Sequence, residues 1–132
     1  MGRVYERFGT RITAQASAAI SAGADSAGAQ TLVDKASAAN GDGAQWFDVY
    51  IDVTAAPSAA ATCELWMTGS SDGTDESAYE YALSCAVPVT ATDQYHLGTL
   101  FTTPREFKAK IKAISYGFTA ALYITPAWIA DA

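Results

Sequence analysis

A single histidine, His96, is the one imidazole in the chain, so any Ser-His or Cys-His catalytic pair would have to use it. No nucleophile-elbow pattern surrounds a serine or cysteine. The sequence also lacks a phosphate-binding loop, a dinucleotide fingerprint and the His/Cys spacing of a metal site. We therefore interpret His96 as a surface residue, and we predict a protein that is not an enzyme and uses no cofactor or metal.

Two cysteines and one acidic loop are the other groups whose chemistry needs an interpretation. Cys63 and Cys85 fall on the apolar faces of two predicted strands, where they could meet across the core. We expect them to be reduced, buried small hydrophobes, with a disulfide as the alternative. The acidic loop, residues 72–76, could hold Ca²⁺ through carboxylate oxygens, but it lacks the ligand spacing of an EF-hand. A solvated hairpin turn is the preferred interpretation.

Three aromatic residues, Trp46, Tyr50 and Trp66, alternate with apolar residues along two predicted strands. Because side chains in a strand alternate between faces, these aromatics fall opposite the core residues. Exposed aromatic rings can stack on sugars, and Trp and Tyr are also enriched in subunit interfaces. We predict that the three form a partner-binding face, with a face covered by the chain itself and a glycan platform as the alternatives.

The first eleven residues alternate arginine with aromatic residues and precede the first long strand pattern. A segment this short does not fold alone, so it would be disordered unless it docks. We predict an extended N-terminal arm, residues 1–11, that reaches onto a neighbouring subunit; a frayed tail is the alternative. Its contact residues would be Arg3, Tyr5, Arg7, Phe8 and Arg11.

Charge and composition exclude several classes of protein. The 132-residue chain has a formal charge of −6, which disfavours general nucleic-acid binding. Lys35 is the one basic residue between positions 13 and 104, while basic residues recur in the arm and between positions 105 and 112. The longest apolar runs fall short of the roughly 20 residues of a membrane helix, and we expect no secretory signal. Such a charge distribution suits association with copies of the chain or with a neighbouring protein.

Period-2 alternation of apolar and polar residues dominates the rest of the chain and predicts about eight strands and no long helix. We expect an all-β fold, an antiparallel β-sandwich of jelly-roll or immunoglobulin-like type, with residues 12–132 as its single domain. Alanine is the most frequent residue and occupies several strand faces, which indicates a thin core that gains stability from neighbours. The predicted strands are residues 12–22, 31–35, 46–53, 63–68, 79–87, 94–102, 105–116 and 118–125.

Residues 16–126 resemble small virion proteins of tailed bacteriophages that are often encoded near the major capsid gene. Four segments carry the resemblance: the Ala/Ser-rich strand 17–21, the strand 46–54, the strand and turn 64–74, and the late strand 107–111. The resemblance implies a compact β-sandwich that serves as a capsid decoration (cement) protein or as a head–tail structural protein.

The function expected from this resemblance is a non-enzymatic virion structural protein, most often a decoration protein bound to the capsid lattice. Its partners would be the major capsid protein, copies of itself, or both, with a trimer as the favoured oligomer. The expected location is the capsid surface, after synthesis in the cytoplasm of the bacterial host. A glycan-binding module of a phage head or tail fibre is the alternative, and it would use Trp46 or Trp66.

Overall fold

The structure, a computed structural model, describes residues 4–23, 28, 30–35, 43–44, 46–70, 80–83, 88–101 and 106–131. For residues 4–8, 70, 80–83 and 128–131 it describes the backbone alone. The described residues form ten strands: β1 (Val4–Phe8), β2 (Ile12–Ile20), β3 (Val33–Asp34), β4 (Trp46–Ala55), β5 (Ala61–Ser70), β6 (Glu80–Leu83), β7 (Pro88–Val89), β8 (Gln94–Phe101), β9 (Glu106–Ile114) and β10 (Phe118–Asp131).

The strands form two five-stranded antiparallel sheets, so the predicted all-β antiparallel sandwich is confirmed. Sheet A runs in the order β1-β10-β4-β8, with β2 also paired to β10, and sheet B runs β3-β9-β5-β6, with β7 also paired to β5. The pairing is nested: β2 pairs with β10, β3 with β9, β4 with β8, and β5 with β6 and β7. This nested order is that of a jelly roll rather than that of an immunoglobulin-like sandwich.

The core lies between the two sheets, where the apolar side chains of alternating strands meet. In β4 every second residue from Phe47 to Val53 is buried, and in β9 every second residue from Phe107 to Ala113 is buried, as the apolar positions of the alternating sequence pattern predict. Phe47 from sheet A meets Phe107 from sheet B edge to face, with ring centroids 5.1 Å apart. The alternation in the sequence therefore correctly identified the buried faces of these strands.

Gln15 departs from the predicted alternation. The sequence pattern places its side chain on the polar face of β2, but the residue is completely buried. The register between β2 and β10 shifts on both sides of Gln15, and this irregularity turns the side chain inward. Its Oε1 atom accepts a hydrogen bond of 3.0 Å from the backbone N–H of Ile111 in β9. Gln15 therefore ties sheet A to sheet B through the core.

Strand β10 continues through Pro126, although the sequence predicts that the last strand ends there. The N–H of Gly9 donates to the carbonyl of Pro126 at 2.8 Å. In an antiparallel sheet the nitrogen and the carbonyl of one residue face the same neighbouring strand. The missing N–H of Pro126 therefore faces the segment around Gly9 and not β4, so the proline removes no hydrogen bond between β10 and β4.

The N-terminal segment differs from the predicted extended arm, because residues 4–8 form strand β1 within the chain's own sheet A. β1 pairs antiparallel with the end of β10, from Val4 opposite Asp131 to Phe8 opposite Ala127. β2 pairs with the first half of the same strand. Residues 4–8 pair with the end of β10 because the backbone N–H and C=O groups along this edge would otherwise lack hydrogen-bond partners from a neighbouring strand.

Candidate functional site

The outer face of sheet A carries most of the described residues that could recognise a partner. Trp46 and Tyr50 of β4 lie on this face, since Phe47, Val49 and Ile51, which alternate with them, point into the core. Trp66 lies on β5 of sheet B, between the buried Leu65 and the core-packed Met67. The structure therefore separates Trp66 from the other two aromatics, and the prediction of one face holding all three is wrong. Alternation identifies the outward side of a strand but not the sheet to which the strand belongs.

Arg11 joins two tyrosines at the centre of this face. Tyr50 and Tyr123 are opposite each other in register, with ring centroids 5.4 Å apart. The Arg11 guanidinium lies 4.0 Å from the centroid of the Tyr123 ring, and its Nη1 donates to Tyr50 Oη at 3.2 Å. The hydrogen bond to Tyr50 raises the pKa of Arg11 above its ordinary value. The predicted contact residues Arg11 and Tyr50 are thus brought together, in a fixed cationic and aromatic cluster.

A second aromatic group lies at the end of the face where β4 begins. Trp46 is opposite Phe101 of β8 on one side and Ala127 of β10 on the other, and Ala127 is opposite Phe8. Trp46 is half-buried, whereas 66% of Phe101 is exposed. Phe101 is not among the contact residues predicted from the sequence. The feature that could have indicated an exposed ring is the position of Phe101 near the end of a predicted strand, three residues before a proline.

Between these two groups, His96 of β8 pairs with Asp48 of β4. The His96 Nε2 and Asp48 Oδ1 atoms are in direct contact, and the side chains are 61% and 40% exposed. The exposure of His96 confirms the interpretation of a surface residue. The pair gives this face both a hydrogen-bonding imidazole and a carboxylate beside the aromatic rings.

Trp66 is engaged by its own neighbours on sheet B. The Lys112 Nζ atom lies 3.9 Å from the centroid of its ring, and the indole Nε1 donates to Glu64 Oε1 at 3.3 Å. Lys112 also lies opposite Glu64 in the register between β5 and β9. A ring whose face is covered by an ammonium group offers one face fewer for stacking on a ligand.

Other predicted features lie wholly or partly outside the described residues. Arg3, Cys85 and the acidic loop 72–76 are outside them, and for Tyr5, Arg7 and Phe8 the backbone position in β1 is described. Cys63 is buried in the core. Within the described ranges, no three His, Cys, Asp or Glu side chains gather as a metal site would require. The described part of the chain also holds no helix long and apolar enough to cross a membrane.

An open pocket of about 450 Å³ lies at the opposite end of sheet A, where β4 ends. It is lined mainly by small and apolar residues, including Ala19, Ala55 and Phe118, with Ser21 and Thr119 as its side-chain hydroxyls. This lining provides no charged group, so we assign the pocket no chemistry.

Comparison with known proteins adds no relative: no protein-family model, curated protein or solved structure matches this chain.

Proposed function

We propose that the chain is a non-enzymatic virion structural protein that decorates a bacteriophage capsid and docks through the outer face of sheet A. The observation that carries this proposal is the exposed ring of Phe101 beside Trp46, on the same face as the cluster of Arg11, Tyr50 and Tyr123. Aromatic residues and arginine are enriched in the energetically dominant centres of protein interfaces. The resemblance to small phage virion proteins supports the capsid lattice as the partner.

The arrangement suits a protein that works by contact area. Arg11 and the two tyrosines are held by one another, so little side-chain freedom is lost when a partner covers them. An interface of about 800 Å² per partner is enough for stable docking. On a lattice, many such contacts act together, so each can be weak while the whole layer binds tightly.

The alternative, a glycan-binding module, is less well supported by the same geometry. Sugar stacking needs an open aromatic face, and Lys112 lies over the ring of Trp66. On sheet A the most exposed ring is Phe101, whose neighbour Trp46 is half-buried. The glycan role therefore depends on Phe101 and Trp46, and binding of these rings to a polysaccharide panel would favour it over docking on protein.

The direct test is the composition of purified phage particles from the source that carries this gene. If the proposal is correct, quantitative mass spectrometry of gradient-purified particles finds the chain at a copy number comparable to that of the major capsid protein. A copy number of a few per particle would point to a head–tail or fibre role. Absence of the chain from intact particles would refute a virion role altogether.

Substitutions on the two sheets separate the docking face from the rest of the surface. We expect Phe101→Ala and Trp46→Ala each to weaken binding to particles lacking the chain by about 2 kcal/mol, roughly 30-fold in Kd. Trp66→Ala on sheet B is the matched control and should leave Kd within about threefold of the unmodified value. The measurement is co-sedimentation of labelled protein with particles over a concentration series. Loss of binding in Trp66→Ala alone would place the docking face on sheet B instead.

A further inference from the structure

Part of the N-terminal strand pairs with β10 outside the main body of sheet A. The pairing of β4 with β10 ends where Trp46 lies opposite Ala127. Beyond this point residues 128–131 of β10 pair with residues 4–7 of β1 and with no other described strand. These residues therefore form a two-stranded ribbon at the end of the sheet. A two-stranded antiparallel ribbon is marginally stable by itself in water, because it lacks the third strand that a stable small sheet needs.

The connection between β1 and β2 interrupts the pairing with β10. Phe8 lies opposite Ala127, and Ile12 lies opposite Ile124. The N-terminal segment therefore advances by four residues between these two pairs, whereas β10 advances by three. One extra residue is thus accommodated between the two strands. At this point β10 contains Pro126, which has no N–H to donate toward the segment. The ladder is therefore irregular between β1 and β2, where the N–H of Gly9 donates to the carbonyl of Pro126 but Pro126 has no N–H to donate in return. We call this irregularity the break.

β2 is anchored on the far side of this break by contacts beyond its pairing with β10. The segment that leaves β2 folds back along its outer edge, where the N–H of Thr31 donates to the carbonyl of Ala14 at 3.0 Å and Gln15 bridges to Gln30. Arg11, the residue before β2, is held by Tyr50 and Tyr123. β1 pairs with β10 alone among the described strands. Release of β1 would leave these backbone and Arg11 contacts of β2 in place.

We propose that β1 is an exchangeable strand that, in the assembled protein, pairs with β10 of a second copy of this chain in the same register. Exchange replaces each backbone hydrogen bond between β1 and β10 with an identical bond between two copies, so its cost is small. Concentration then decides which form is populated, and a lattice or oligomer that holds copies side by side raises the effective concentration. Reciprocal exchange gives a dimer and cyclic exchange gives a ring such as a trimer.

The test mixes two variants, Glu6→Cys and Ile129→Cys, each made in a chain whose native Cys63 and Cys85 are replaced by alanine. Positions 6 and 129 lie opposite each other in the β1–β10 register. Opposite residues in antiparallel strands are about 4.5–5.5 Å apart between Cα atoms, within the range of a disulfide. In this mixture a bond between positions 6 and 129 can form only between two copies. The full-length proteins are incubated together at high concentration, oxidised, and mapped by mass spectrometry of non-reduced peptides.

The control mixture combines Glu6→Cys with Ala55→Cys, an exposed position at the other end of β4. If β1 exchanges, the disulfide between positions 6 and 129 should be about tenfold more abundant than the control disulfide between positions 6 and 55. Because adjacent cross-strand pairs alternate in geometry, Tyr5→Cys mixed with Ala130→Cys is run in parallel. Equal yields of register and control bonds in both mixtures would overturn the proposal.

A double variant gives a second measurement. Glu6→Cys/Ile129→Cys should yield covalent dimers or trimers after oxidation if β1 exchanges, and disulfide-bonded monomers if it stays within one chain. The outcome is independent of the docking proposal, since a closed monomer that still binds particles would refute exchange and leave docking intact. Conversely, covalent oligomers that fail to bind particles would refute docking and leave exchange intact.

Discussion

Phe47→Ala is expected to lower the free energy of unfolding by about 3–5 kcal/mol. Phe47 is completely buried, and its ring meets Phe107 of the opposite sheet at an interplanar angle of 72°. Truncation removes an edge-to-face contact and leaves a cavity between the sheets. The alanine-rich composition makes this loss harder to offset, because small neighbouring side chains cannot extend to fill the space.

The measurement is urea-induced unfolding followed by intrinsic tryptophan fluorescence. The matched control is Phe101→Ala, which removes the same ring from a position that is 66% exposed and should change stability by less than about 0.5 kcal/mol. If Phe47→Ala does not fold, Phe47→Leu retains most of the volume and should cost about 1–2 kcal/mol. Equal losses for the buried and the exposed phenylalanine would contradict the sandwich described here.

The same pair of phenylalanines separates stability from docking. Phe101→Ala is expected to keep the fold and lose binding to particles, whereas Phe47→Leu is expected to lose stability and keep binding below its unfolding transition. Such opposite effects would place recognition on the outer face of sheet A and stability between the sheets. If binding to particles depended only on whether the protein is folded, each substitution would weaken binding in proportion to its loss of stability.

How far the sequence predicts this fold is clearest in β4 and β9. Their strict alternation identified the buried faces from Phe47 to Val53 and from Phe107 to Ala113, because side chains of a strand point alternately to opposite sides. Alternation is a local property, however, and pairing is not. It could not assign β4 to sheet A and β5 to sheet B, so it grouped Trp66 with Trp46 although they lie on opposite surfaces.

Two other departures have the same physical origin. A register shift turns Gln15 into the core, and such a shift depends on the partner strand rather than on the residues around Gln15. The continuation of β10 past Pro126 depends on which neighbour faces the missing N–H, and that neighbour is more than 100 positions away in the sequence. Contacts this distant leave no periodic signal. The candidate site was therefore predicted in part: Arg11, Trp46 and Tyr50 were identified, and Phe101, Tyr123 and the His96–Asp48 pair were not.

Gln15→Glu is the second substitution with a large expected effect, and its effect should depend on pH. Gln15 is completely buried, its Oε1 accepts the N–H of Ile111, and its Nε2 has no hydrogen-bond partner among the described residues. The introduced carboxyl could still accept the bond from Ile111. Its ionised form, however, would have to lose its hydration in the core, so burial raises its pKa in the folded state.

The direction of the pH dependence follows from this raised pKa. Below about pH 4.3, the ordinary value for glutamate, the introduced carboxyl is protonated in both the folded and the unfolded chain. Above that pH the unfolded chain releases the proton while the folded chain retains it. The free energy of unfolding should therefore fall by about 1.4 kcal/mol per pH unit, relative to the unmodified protein, until the pH reaches the raised pKa of the folded state.

Two controls isolate the buried charge as the cause. Thr13→Glu adds the same carboxyl at an exposed position on the same strand and should show no comparable loss between pH 4 and pH 7. Gln15→Met keeps the length of the side chain but removes the acceptor for Ile111, so it should cost about 1–3 kcal/mol at every pH. Urea titrations of the three variants between pH 4 and pH 7 give the comparison. If Gln15→Glu tracked Thr13→Glu across this range, position 15 would be solvated, and the link from sheet A to sheet B through the core would have to be abandoned.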